Sequence, residues 1–238
     1  MATDPWADVL DHAGHRDPIG AELVEWLAGS PRFRAFAEVH RAKIRKKLRT
    51  AGDDEARRDV RAELQAAHLL LADPRIELAF EAYGAGKVGP DLTITYRGTR
   101  RLNLEVTRSH GRPGATDFSL PLLAKLRQLP PSVPNAVLVA IGGTSAEALD
   151  VAGASTALRA RADAKDEAFF TRRGFAGSRG FYERYLRLGG VVTWCEGGSG
   201  AGRAALWSNR SARMSLPEPA IRAVLQCLRN EATGRIET

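Results

Sequence analysis

The chain has 238 residues, of which 44% are hydrophobic and 26% charged, as expected for a globular protein with one sizeable core or one core and a small lobe. Its longest apolar runs are too short to cross a bilayer, and its first residues lack the basic start and apolar stretch of a signal peptide, so we expect a cytoplasmic protein without a membrane partner. The 35 Lys and Arg against 28 Asp and Glu give a net charge of +7, which favours polyanionic partners such as nucleic acid but is equally compatible with a role in solubility alone.

Two helices are predicted near the start of the chain. "DPIGAELVEWLAGS" predicts a short helix ending at Gly29, and the next helix opens with Ser30 as N-cap and Pro31 at its first position. The surface of this second helix is either a solvated face or a contact for phosphates, because it carries Arg41, Lys43, Arg45, Lys46, Lys47 and Arg49. We assign residues 1–53 to an N-terminal helical extension and residues 54–238 to the main domain.

A third helix is predicted by "DDEARRDVRAELQAAHLLLADP", with acids in its first turn and a stop at Asp73-Pro74. Glu63 lies beside the apolar stripe of this helix and is therefore expected to be half-buried. A carboxylate in that position needs a cation, a hydrogen-bond donor or a metal nearby. A salt bridge to an arginine, or extension of the side chain into water, would serve equally well.

Three strands follow, and the second and third form a hairpin. "RIELAFEAYG" alternates with a period of two, although Glu77 and Glu81 are also compatible with a helix. "DLTITY" and "LNLEVT" alternate in the same way around the turn "RGTR", which places Asp91 and Glu105 on the polar face, directly or diagonally opposite each other. Glu81 or Glu77 shares that face from the strand before. Two carboxylates this close repel, so we expect either a bound cation or a loss of stability.

The remainder of the chain alternates helices and strands. "FSLPLLAKLRQLPPSVP" predicts a helix and "NAVLVAIGG" a strand buried on both faces, so the core order is helix, three strands, helix, strand, which indicates an α/β fold with a mixed sheet flanked by helices. Two helical stretches, the strand "VVTWCE" and the closing helix "PEPAIRAVLQCLRN" complete the chain. "EGGSGAGRAAL" lacks the Lys and Ser or Thr of a phosphate-binding loop and is predicted to join two strands. Cys195 and Cys227 show no metal-binding spacing and are expected to be buried.

The acidic residues together are suited to a divalent cation. Mg²⁺, or Mn²⁺ in its place, takes hard oxygen ligands and is often bound by one or two carboxylates plus a substrate phosphate. We therefore predict Asp91, Glu105 and Glu81 as metal ligands. An ion held there could polarise a phosphodiester and lower the pKa of a bound water.

These motifs and their order resemble the PD-(D/E)XK nuclease-like, or restriction-endonuclease-like, superfamily over residues 54–142. Glu63 in "RAELQAAHLLL" matches the glutamate of the opening helix, and Pro90-Asp91 in "GPDLTI" matches the Pro-Asp motif. "LEVTRS" matches the (D/E)-x-K motif through Glu105 but has Thr107 in place of lysine. The resemblance implies a three-layer core with a mixed sheet, and it implies catalysis at Glu63, Asp91, Glu105 and the Thr107 position.

The absent motif lysine must be replaced if the site is active, because in the superfamily that lysine positions or activates the attacking water. Arg108 points to the opposite face of an ideal strand, and arginine is a poor proton acceptor. Lys87 and Lys125 are the candidate substitutes. Lys125 is preferred because a helix packed over the sheet could direct it at the acids; the alternative is an ordinary surface lysine.

Two functions remain open from the sequence. The first is a metal-dependent nuclease that cuts nucleic acid, DNA being the expected substrate, with the basic N-terminal helix on the backbone. The second is a catalytically inactive relative that keeps the fold and binds nucleic acid or a protein. Thr107 favours the second, and the paired acids favour the first. Cutting both strands of a duplex would favour a homodimer.

Overall fold

The structure is a computed structural model that describes residue 6 and residues 18–83, 89–109, 118–142, 149–196 and 203–230. The chain divides into two compact units, Met1–Pro74 and Arg75–Thr238. The division into residues 1–53 and 54–238 stays a prediction. Among the described residues, no helix is both long enough and apolar enough to span a membrane.

The described part of the first unit contains three helices, all of them predicted. Helix α1 spans Pro18–Gly29, α2 spans Pro31–Thr50 and α3 spans Asp54–Leu70. The hydroxyl of Ser30 accepts a hydrogen bond from the backbone N–H of Phe33, which caps α2 as expected. Asp53 caps α3 in the same way through the N–H of Ala56.

An aromatic cluster joins the three helices of this unit. The rings of Trp26 and His68 stack with centroids 5.4 Å apart, and the Phe33 ring meets His68 edge-on at the same distance. Burial in this cluster lowers the pKa of the His68 imidazole, because the charged form loses its hydration. The cluster therefore stabilises the unit with a neutral His68.

The second unit contains six strands and five helices among its described residues. In chain order these are β1 (Ile76–Phe80), β2 (Leu92–Tyr96), β3 (Arg100–Arg108), α4 (Ser119–Leu126), β4 (Asn135–Ile141), α5 (Val151–Asp163), α6 (Glu167–Thr171), α7 (Gly177–Tyr185), β5 (Leu188–Cys195), β6 (Ala204–Ser208) and α8 (Glu218–Arg229).

One mixed sheet runs through the second unit, and its strand order in space is the same as in the chain. Strands β1, β2 and β3 pair antiparallel, β3, β4 and β5 pair parallel, and β6 returns antiparallel to β5. Helix α4 makes the crossover between β3 and β4, as the predicted core order requires. The α/β class with a mixed sheet is thus confirmed.

The main apolar core of this unit lies on one face of the sheet. Val137, Val139 and Ile141 of β4 and Val191 of β5 pack there against buried side chains of the helices, among them Leu122 and Leu126 of α4, Leu158 of α5 and Phe181 of α7. In β4 every residue is buried, as the continuous apolar run predicted. Helix α8 packs against β6.

Both cysteines are buried, as predicted, and no disulfide bond joins Cys195 to Cys227. The glycine-rich stretch follows β5 and precedes β6, in agreement with a connection between strands, although residues 197–202 lie outside the described part of the chain.

Candidate active site

Three predicted acids form one row in the register of the sheet, with Glu81 directly after β1, Asp91 directly before β2 and Glu105 within β3. Leu92 is opposite both Leu104 and Phe80, so the next position places Asp91 between Glu105 and Glu81. The backbone N–H of Glu81 donates to the carbonyl of Asp91 at 2.8 Å, which continues the register past the end of β1. Asp91 is therefore directly opposite Glu105, which is one of the two placements, direct or diagonal, that the sequence predicted.

Glu105 is held by two side chains from outside its strand. Its side chain is only 1% exposed, and Lys125 Nζ lies 2.7 Å from Oε1. With its amide nitrogen toward the carboxylate, Gln128 donates to Oε1 at 2.6 Å and to Oε2 at 3.1 Å. The charge of Glu105 is thus offset by an ion pair and by hydrogen bonds.

The backbone N–H and carbonyl of Val106 connect Asp91 to Lys125. The N–H donates to Asp91 Oδ2 at 2.9 Å, and the carbonyl accepts from Lys125 Nζ at 3.4 Å. Asp91 itself is half-buried. The arrangement fixes the Asp91 carboxylate beside the residue that follows Glu105, so the two acids and the lysine form one connected group.

Glu81 follows β1 and has a left-handed backbone conformation, with φ 46°. Such a conformation is uncommon for a residue with a Cβ and costs on the order of 1 kcal/mol.

No group of three or more His, Cys, Asp or Glu side chains arranged to hold a metal occurs within the described ranges. Glu77, the alternative to Glu81, is exposed on β1. The role of Glu81 as a metal ligand beside Asp91 and Glu105 stays a prediction, and water and substrate oxygens would complete the coordination of such an ion.

Thr107 follows Glu105 on the same face and is half-buried opposite Val139 of β4. The motif position therefore presents a hydroxyl, and the lysine beside the acids comes from α4 instead. Lys125 is 22% exposed in its ion pair and is not an ordinary surface lysine. Lys87, the other candidate, lies outside the described residues.

Glu63 lies in the first unit, where it is buried on α3. It forms a salt bridge with Lys47 of α2, so the cation that its burial requires comes from a lysine of the preceding helix. Lys47 is one of the basic residues of α2 that were predicted either to face solvent or to contact phosphates. A role for Glu63 in orienting water stays a prediction.

A buried polar network next to the acid row was not predicted. Thr93 Oγ1 donates to Asn103 Oδ1, and Asn103 Nδ2 donates to Asn135 Oδ1, each at 3.0 Å. Asn103 Nδ2 also lies 3.0 Å from the Tyr83 hydroxyl. The signal available in the sequence was the position of Thr93 and Asn103, which face each other on the side of the hairpin that carries the acids.

In comparisons with known proteins, no family model, no curated protein and no solved structure matches the chain. Asp91 and Glu105 supply the hard oxygen donors that Mg²⁺ or Mn²⁺ prefers, so the donor set fits such an ion.

Proposed function

We propose that the protein is a metal-dependent nuclease that hydrolyses phosphodiester bonds of nucleic acid, with DNA as the substrate. The observation that carries the proposal is the contact between Lys125 and Glu105 beside Asp91. It places a lysine against the Glu105 carboxylate, next to the residue whose N–H bonds Asp91, although the motif position holds Thr107. The agreement of the element order with a restriction-endonuclease-like core supports the same proposal.

Each residue has a distinct task in this proposal. Asp91 and Glu105 would hold Mg²⁺ or Mn²⁺, which supplies a Lewis acid for the phosphodiester. The ammonium group of Lys125 stabilises negative charge on the phosphate and orients the attacking water by hydrogen bonding. The hydroxyl of Thr107 lies on the same face and can hydrogen-bond to that water or to a phosphate oxygen.

A second candidate is a catalytically inactive protein of the same fold that binds nucleic acid or a protein. The observation that favours it is the environment of Glu105, whose carboxylate is already bonded by Lys125 and Gln128 and is almost closed to solvent. In this alternative the lysine is a structural counter-ion and the acids serve only the stability of the sheet.

A metal titration combined with a cleavage assay distinguishes the two. Wild-type protein is expected to bind Mn²⁺ in calorimetry and to cut duplex DNA with Mn²⁺ or Mg²⁺ but not in chelator. Asp91→Asn should lose both properties, since it removes a ligand. Glu77→Gln is the matched control, because it removes an exposed acid from β1 and should change neither.

Lys125→Met separates catalysis from metal binding, since it should reduce cleavage by about a hundredfold or more while Mn²⁺ still binds. If the wild type neither binds Mn²⁺ nor cuts DNA or RNA, the inactive alternative is correct.

A further inference from the structure

A second site is formed by the hairpin and α8, separate from the acid row. A cleft of about 470 Å³ lies between the first residue of the unit, the turn after β2 and the first half of α8. Four arginines line it: Arg75, Arg97, Arg100 and Arg222. Tyr96 is opposite Arg100 in the hairpin and five residues from Asp91, so the cleft lies about 17 Å along β2 from the acids and on the other face of the sheet.

Tyr96 holds two of the arginines in place. Its ring is buried, and the guanidinium carbons of Arg75 and Arg97 lie 5.5 Å and 5.6 Å from the ring centroid. The backbone N–H of Arg97 also donates to the carbonyl of Arg75 at 2.8 Å. Stacking of this kind restricts the guanidinium groups before any ligand arrives, which lowers the entropic cost of binding.

The cleft carries an excess of positive charge. Glu218 is the one acid among its lining residues, and it pairs with Arg222 one turn later on α8. That pair is highly exposed on both sides, so it contributes little and can open. Arg97 and Arg100 are exposed and form no salt bridge with an acid in the part of the chain that the structure describes. A concave surface with this charge attracts polyvalent anions.

We propose that this cleft binds a small ligand with two or more linked phosphates, such as a pyrophosphate or the phosphate chain of a nucleotide. Arginine is well suited to phosphate because its planar guanidinium donates two parallel hydrogen bonds. Four guanidiniums around one cleft suit a compact, highly charged anion. A nucleic-acid strand spaces its charges along the chain and is contacted by a row of cations. The proposal does not depend on nuclease activity at the acid row.

Calorimetric titration of the full chain with inorganic pyrophosphate, in metal-free buffer of low ionic strength, tests this assignment. The double variant Arg97→Ala/Arg100→Ala should bind pyrophosphate at least about tenfold more weakly than wild type, because it removes two of the four guanidinium groups that can donate charge-assisted hydrogen bonds to the phosphates. The charge-matched control Arg172→Ala/Arg179→Ala removes two exposed arginines outside the cleft and should stay within about twofold of wild type.

Replacing the acid that lines the cleft should change the affinity for pyrophosphate in the opposite direction. Glu218→Gln should tighten pyrophosphate binding several-fold, since it removes the only negative charge among the lining residues, whereas Glu183→Gln, at an exposed acid elsewhere, should not. Failure of pyrophosphate to bind wild type, or an equal loss in the arginine control, overturns the proposal. So does binding of a single-stranded oligonucleotide that depends on Arg97 and Arg100 without any binding of pyrophosphate, which would assign the cleft to a nucleic-acid backbone.

Discussion

Glu105 has a carboxylate that is almost closed to solvent and is stabilised by groups from the following helix and its end. Without any neighbouring cation, Asp91 and Glu105 would repel each other, and neutralising either acid would raise the stability of the protein. Lys125 changes this expectation, because it places a positive charge 2.7 Å from Glu105. The ion pair now makes both of its members important for stability.

We predict that Lys125→Met lowers the free energy of unfolding by about 2 kcal/mol. The variant leaves a buried carboxylate without its cation; loss of one partner of a fully buried pair costs about 3–5 kcal/mol, and the partial exposure of Lys125 reduces that figure. Glu105→Gln should destabilise as well, and the double variant Glu105→Gln/Lys125→Met less than the two single changes together. Urea unfolding of the four proteins measures this coupling, and additive effects would show that the ion pair contributes nothing.

Residue positions in the site were predictable to different degrees. The alternation of "DLTITY" and "LNLEVT" was sufficient to place Asp91 and Glu105 on one face, directly or diagonally opposite, and the register shows the direct arrangement. The direction of Lys125 depended on how α4 crosses the sheet, which no local pattern determines. Gln128 follows the end of α4 and had no distinguishing pattern, so its contact with Glu105 could not be predicted.

At the scale of elements, the polar face of the hairpin is less exposed than its sequence indicated. Alternation suggested a half-buried sheet, yet Thr93, Asn103 and Glu105 are all buried. The difference has a physical cause: these side chains bond to one another or to groups outside the hairpin, which removes the penalty for burial. Sequence alternation shows which side chains share a face, but it does not show what covers that face.

Asn135 connects several of these elements through its side chain. It accepts from Asn103 of β3 and donates to the carbonyls of Pro130 and Arg187 at 2.8 Å and 3.1 Å. We predict that Asn135→Ala lowers the free energy of unfolding by about 2–3 kcal/mol, because the buried Asn103 on β3 and two half-buried carbonyls in connections lose hydrogen bonds. Asn230→Ala, at an exposed asparagine after α8, is the control and should change stability by less than about 0.5 kcal/mol. Equal melting temperatures for the two variants would contradict a structural role for the network.

For the whole molecule, the positive charge is distributed unequally along the chain. Residues 1–74 contain 12 Lys and Arg against 13 Asp and Glu, whereas residues 75–238 contain 23 against 15. The basic surface of α2 is thus balanced by acids within its own unit, and the excess belongs to the second unit. Contact of α2 with phosphates remains a prediction, but net charge alone does not favour it.

Binding to duplex DNA is predicted to weaken steeply with salt. Each phosphate that a Lys or Arg neutralises releases counterions, so log affinity should fall linearly with log salt concentration, with a slope of roughly −0.9 per contact. Fluorescence anisotropy with a labelled duplex in chelator, at several NaCl concentrations, gives the slope. A salt-independent affinity, or no binding at the lowest salt, would contradict a nucleic-acid partner.

The matching of strand order in space and in the chain also affects how the acid row is assembled. Because each strand pairs with the next one synthesised, β1, β2 and β3 can meet as a local meander before the rest of the sheet exists. Lys125 lies 20 residues after Glu105, on the crossover helix that follows. The meander alone would therefore bring Asp91 and Glu105 together without their counter-ion, and the positive charge that offsets their repulsion arrives only when α4 docks. Folding of this sheet should thus become cooperative at the step in which the crossover helix closes over the hairpin.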